Sequence, residues 1–152
     1  MGLSQWLLLV TCALAAYGTG QVWLVQLSSY RLWVYVGTNE FHAYHLAWWR
    51  GIWGVILAPA CLVTIGSLLM LWWPAPGVPA GMTWIGFGLQ ILLILGTALW
   101  WAPLMARVEG PDGGLLPERY RLLMTSHWLR VFIVTAYGLL VLSMLMRSAW
   151  RA

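Results

Sequence analysis

Tryptophan stands at both ends of each long apolar run in this chain. Trp6 and Trp23 bracket the first run. Trp48, Trp49 and Trp53 open the second, and Trp72 and Trp73 close it. Trp84 opens the third, which ends at Trp100 and Trp101, and Trp128 and Trp150 bracket the fourth. An indole joins an apolar body to a single N–H donor and settles at the headgroup level of a bilayer. The paired indoles lie roughly 17 to 22 residues apart. That is about 25 to 33 Å of helix, against a hydrocarbon core of about 30 Å. The pattern predicts an all-α integral membrane protein, one domain over residues 1–152, with four transmembrane helices at about 3–27, 51–73, 84–102 and 128–146. Short connections predict that chain neighbours pack as an antiparallel bundle.

Composition excludes several classes. Apolar residues make up 62% of the chain and charged residues 8%, where a soluble domain carries about 25% charge. All eight positive side chains are arginines, scattered over connections rather than gathered on one face, so nucleic acid is not an expected partner. Four spans and their connections take up nearly all of the 152 residues, which leaves no room for a soluble catalytic domain. Residues 1–5 lack a positive n-region, so the first run is read as a span and not a signal peptide. Cys12 and Cys61 sit mid-run in apolar surroundings, as small packing residues do.

Local signals place the boundaries. Cys12, Ala16 and Gly20 recur every four residues, a small-residue stripe that would admit a neighbouring helix. Thr38 or Asn39 reads as an N-cap, with Glu40 in the first turn, so the second helix is expected to start near Asn39, ahead of its span. Pro59 removes a donor in mid-span and frees the carbonyl of Val55 for another partner. Residues 74–83 hold three prolines, two glycines and no charge, a short stiff loop. Pro103 is expected to end the third helix, and Glu109-Gly110-Pro111-Asp112-Gly113-Gly114 is a turn signal. Pro117 suits the first turn of a helix. The first and third connections carry Arg31, Arg50, Arg107, Arg119 and Arg121. Arg147 and Arg151 lie at the other side. The positive-inside rule then puts those connections in the cytoplasm and both termini outside.

Three groups of residues could carry chemistry. No acidic residue falls within a span, and Glu40, Glu109, Asp112 and Glu118 all belong to one side. That argues against a proton relay through the bilayer. His42, His45 and His127 share this side by helix parity. Three imidazoles there could ligate a metal, haem iron or the magnesium of a chlorophyll-type pigment, with His45 and His127 the candidate metal ligands. His45 shares a helix face with Phe41, Trp48, Trp49 and Ile52, which would surround a planar ligand or pack on a neighbouring helix. Gln21 and Gln90 could bind a quinone carbonyl or a pigment keto group, or join helices by hydrogen bonds. Arg130, just inside the fourth span, either snorkels to lipid phosphates or pairs with Glu40 or Glu118.

The stretch from Thr19 to Leu27, Phe41 with Tyr44-His45, Ala102-Pro103-Leu104, and Thr125 to Arg130 resemble boundary motifs of an uncharacterised family of four-span bacterial inner-membrane proteins. The resemblance covers most of the chain and implies a bacterial inner (cytoplasmic) membrane. It implies no activity. The chain departs from the family pattern at Trp48 and Met105, where histidines stand in the family, and at His127, where an asparagine stands. Those departures weaken an enzymatic expectation. The favoured expectation is a non-catalytic subunit of a larger membrane complex, energy-transducing or photosynthetic. Its partners would be lipid and other integral membrane subunits. The alternative is a small membrane oxidoreductase using a His-ligated metal or haem with quinone.

Overall fold

A computed structural model describes residues 2–150. Arg151, counted above in the orientation argument, lies outside them. Four helices, each long and apolar enough to cross a membrane, account for nearly all of the fold: α1 (Leu3–Tyr35), α2 (Thr38–Trp72), α3 (Ala80–Ala106) and α4 (Pro117–Ala149). Among the described residues there is no strand, only an isolated bridge between Glu109 and Leu115 in the α3–α4 connection.

The helices start and stop for local reasons. Gly2 is the N-cap of α1, and its N–H donates to Gln5 Oε1 at 2.9 Å. The cap of α2 is Gly37, one residue before the expected Thr38, with Glu40 in the first turn as predicted. Leu116 caps α4 and Pro117 occupies its first turn. Gly77, at φ 79°, turns the α2–α3 connection, and Gly113, at φ 80°, turns the α3–α4 connection. Both conformations suit glycine alone among residues without strain.

Two helix ends differ from the sequence expectation. Of the helices α1, α2 and α3, the first and third run on past the ends of their apolar runs, while α2 closes at Trp72. Each of the three passes through a single π-helical segment, at Val25–Ser29, Trp53–Leu57 and Thr97–Trp101 respectively. A π segment holds one extra residue per turn and absorbs a break in the i→i−4 ladder. Pro103 therefore does not end α3; the helix takes the proline into its last turns, just after the π segment. Pro59 follows the π segment of α2 in the same way.

Close packing joins α1 to α4 and α2. As α1 runs from Thr19 through Trp23 to Gln26, its partners on α4 run from Gly138 through Thr135 to Met124. Gly66 of α2 lies against Thr11, and Gly138 lies against Thr19 and the carbonyl of Ala15. The stripe that admits neighbours is thus Thr11, Ala15 and Thr19. The expected Cys12, Ala16 and Gly20 sit one residue out of phase, with Ala16 and Gly20 exposed. Thr11 and Thr19 turn their hydroxyls back onto the carbonyls of Leu7 and Ala15, each at 2.8 Å. With the hydroxyl spent internally, a threonine behaves as a small residue.

Two cores result. One gathers Leu8, Ala15, Val63, Met70, Ala75, Tyr137, Val141 and Met144. The other gathers Val25, Tyr30, Trp33, Phe41, Trp101, Met105, Val108 and Leu123. The outward faces are apolar as well, with Trp53, Trp72, Trp84, Leu99, Phe132 and Leu139 exposed. In water such a surface would drive association; against hydrocarbon it is unremarkable. Not every indole sits at a rim, however. Trp33 and Trp101 are core residues, at 0% and 3% exposure.

Candidate ligand site between the helices

Where the aromatic core meets the close-packed one, the helices stand apart around a cavity of about 760 Å³ with residues of all four in its wall. The π segments shape it: Val25, Trp53, Ile56, Leu57, Thr97 and Ala98 belong to them and line it. A π turn widens the helix and re-aims the side chains around it, which is why such turns recur beside binding sites. Most of the wall is aliphatic or aromatic, and no Asp or Glu lines it.

One stripe of α4 supplies three of the polar groups, the only charged one among them. His127, Arg130, Val134 and Tyr137 all line the cavity. At spacings of three, four and three they fall on one helix face. The hydroxyl of Tyr137 hydrogen-bonds Ser67 of α2 in the buried interior. The opposite end of the stripe is set by Gln26. Its Nε2 donates to the carbonyl of Met124 at 3.2 Å, so its Oε1 is the atom that faces His127 Nδ1, at 2.8 Å. The proton of that bond must come from the imidazole, because an amide oxygen only accepts. Nδ1 therefore carries hydrogen, and the neutral ring leaves Nε2 bare. Tyr30 packs edge-on against the His127 ring with centroids 5.0 Å apart, and its hydroxyl donates to Met105 Sδ at 2.9 Å.

Arg130 has a different environment. Its guanidinium lies over the Trp101 ring, 5.5 Å from the centroid. The pairing with Glu40 or Glu118, one of the two alternatives from sequence, does not form; among the described residues the carboxylate that meets basic side chains is Glu109, at His42 and His45. Glu40 instead folds back against its own N-cap at Gly37.

Gln21 and Gln90 both line the cavity and both tie helices together. The carbonyl of Val55, left without a donor by Pro59, accepts from Tyr17 Oη at 3.0 Å and from Gln21 Nε2 at 2.6 Å. The proline thus produces the free acceptor that the sequence argument required, and α1 supplies two donors to it. Gln90 of α3 accepts from Thr64 of α2 at 3.3 Å.

The other two histidines lie elsewhere. His42 Nδ1 sits 2.7 Å from Glu109 Oε1, and His45 Nδ1 sits 3.6 Å from Glu109 Oε2. His45 Nε2 accepts from Trp49 Nε1 at 3.0 Å, so both its ring nitrogens face partners. Its neighbours are Phe41, stacked at 5.6 Å, and Trp33, edge-on at 5.4 Å. Trp33 also contacts Tyr30, which in turn contacts His127. The three imidazoles share one end of the molecule, but His127 stands apart from the pair on Glu109. Among the described residues no group of three His, Cys, Asp or Glu side chains is arranged to hold a metal ion.

Sequence reasoning missed Glu109 as the joint partner of His42 and His45. The available signal was its place in a turn on the same side as both. It also missed Tyr30 and Tyr137 as members of the cavity region, for which no linear signal exists. The chain matches no family model, no curated protein and no solved structure.

Proposed function

We propose that this chain is a four-span integral membrane protein that holds a lipid-soluble molecule between antiparallel helices and acts as a non-catalytic subunit of a larger membrane complex. The observation that carries this reading is the cavity of about 760 Å³, within the range of about 300–1,000 Å³ typical of small-molecule sites. Most of its wall is apolar, with a few polar groups among the aliphatic and aromatic residues. A wall free of carboxylates supports holding over proton-coupled turnover, since proton relays in membranes are built from ionisable chains. The exposed apolar faces of α2, α3 and α4, which include Trp53, Trp84 and Phe132, give partner helices surfaces to pack on.

The membrane is a bacterial inner membrane in this proposal, in keeping with the four-span family that the chain resembles. The α1–α2 and α3–α4 connections lie in the cytoplasm. The test is purification from the native membrane in mild detergent, with a lipid-extract mass spectrum, an absorption spectrum and the co-eluting proteins identified. The proposal expects one apolar small molecule per chain and larger partners. A monodisperse single chain with no retained molecule overturns it. Orientation is checked separately by labelling a cysteine placed in the 74–83 loop, in a background without Cys12 and Cys61. Impermeant reagents added outside intact cells should reach it.

A second reading is favoured by His127 alone. Gln26 fixes its ring with Nδ1 occupied and Nε2 free, and a partner on one ring nitrogen is what orients an imidazole that ligates or hydrogen-bonds through the other. A small oxidoreductase binding quinone or a haem there would lose its visible spectrum, or its quinone, in His127→Ala.

A further inference from the structure

We propose that the occupant of this cavity is a single-chain amphiphile with an anionic oxygen head, its carboxylate or phosphate seated on Arg130 and its chain lying among the aliphatic residues of the wall. This rests on the reading that the cavity holds a lipid-soluble molecule. Arg130 is the cation among the cavity-lining residues, where no acidic residue answers it. Its guanidinium stays charged at any physiological pH. An unanswered charge facing an apolar cavity is costly, and the Trp101 ring at 5.5 Å offsets only part of that cost.

The acidic residues of the chain are committed elsewhere. Glu109 serves His42 and His45, Glu40 lies on Gly37, Asp112 accepts from the Gly114 N–H, and Glu118 sits in the first turn of α4. The counter-charge must therefore come from outside the chain.

An oxyanion at the guanidinium supplies the missing counter-charge, because the planar fork takes two oxygens of a carboxylate or phosphate at once. Away from Arg130 the same α4 face continues through Val134, and Val25, Ile56 and Leu93 line the cavity around it, an environment for a hydrocarbon chain. A quinone suits this end less well: its carbonyls are neutral and would leave the guanidinium charge uncompensated.

The test is direct binding to the purified full chain in a neutral detergent, followed by native mass spectrometry and displacement of a fluorescent fatty acid. Palmitate, hexadecyl phosphate and hexadecanol share one chain and differ in head. The wild type should bind either anion at least tenfold more tightly than the alcohol. Arg130→Gln should abolish that preference and leave hexadecanol binding as it was. Arg130→Lys, which keeps the charge and loses the fork, should retain part of it and controls for misfolding of the glutamine variant.

Equal binding of all three amphiphiles by the wild type overturns the anionic head and leaves the cavity reading intact. Binding of none overturns both. Phosphatidylglycerol in mixed micelles forms the remaining arm. If it competes at Arg130 and palmitate does not, the head belongs to a bilayer phospholipid and the single-chain assignment fails.

Discussion

The two halves of this molecule solve helix packing in opposite ways. Around Leu8, Ala15, Val63 and Met144 the helices touch through glycines and threonines, and little polar chemistry is present. Around Tyr30, Trp33, Trp101 and Met105 they are held by rings, π segments and a network through Gln26, His127 and Tyr30. The cavity opens between these regimes. Beside the cavity α1 and α4 keep their contact through Trp23–Thr135 and Gln26–Met124, and residues of all four helices line the space. The first half thus sets the frame and the second half supplies the chemistry.

Glycine substitutions break this contrast most strongly. A side-chain carbon at Gly66 would collide with Thr11, and one at Gly138 would lie 2.7 Å from Thr19 Oγ1. Gly66→Leu should therefore destabilise the fold by about 1–3 kcal/mol or more, the usual cost of overpacking. Gly18 lines the cavity, and a carbon there meets nothing within 4 Å. Gly18→Leu should leave stability near that of the wild type while displacing the bound molecule. Unfolding in mixed detergent micelles, followed by far-UV circular dichroism, compares the three. Equal losses at Gly66 and Gly18 would show that the frame and the cavity are not distinct.

The network of the open half comes next in size. Gln26→Leu removes the acceptor of His127 Nδ1–H and the donor to the Met124 carbonyl. A buried polar group left unpaired costs about 1–3 kcal/mol. Because that group also fixes the imidazole, the variant should change the nitrogen-15 shifts of the His127 ring as well as the unfolding midpoint. A change in midpoint with an unaltered ring tautomer would mean that Gln26 packs but does not position.

How much of this was legible in the sequence follows the same division. Indole spacing and breakers located four helices, and Pro59 located a carbonyl in need of a donor, because these effects are local to one helix. The phase of the small-residue stripe was missed by one position, since the glycines that decide it, Gly66 and Gly138, lie on other helices. The π segments were marked in the sequence only indirectly. Trp53–Leu57 and Thr97–Trp101 each end two residues before a proline, Pro59 and Pro103, so the breaker was legible while the π turn that accommodates it was not, and Val25–Ser29 has no proline to mark it. Of the candidate ligand residues, His127, Gln21 and Gln90 line the cavity and His42 and His45 do not. Parity along the chain fixes the end of a helix at which a residue lies, but not the side it faces.

A subtler effect belongs to Val55. Its carbonyl takes Tyr17 and Gln21 because Pro59 has no N–H to give. Gln21→Leu should cost roughly 1 kcal/mol, the usual scale of an interhelical bond in membranes. In a Pro59→Ala background the helix can supply its own donor, and the same substitution should cost clearly less. A double-mutant cycle reads that difference as a coupling energy. Additive losses would show that the proline and the glutamine are unrelated.

The smallest effect expected is at the rim of the open half. Glu109 joins the α3–α4 connection to α2 through His42 and His45, but the His42 side chain is 61% exposed. A carboxylate–imidazole contact so open to solvent is worth at most the roughly 0–1 kcal/mol of an exposed ion pair, so Glu109→Gln should barely move the unfolding midpoint. Its consequence should be local. The connection is also held by the Gly110–Gly114 and Val108–Leu116 backbone bonds, so it should stay folded as a turn while losing its tie to α2. Amide exchange at residues 38–42 and 108–116 should rise together in this variant and stay unchanged along α4. Exchange that rises along α4 as well would place Glu109 in the frame of the molecule and not at its rim, and the division between the two halves would have to be redrawn to include the connection.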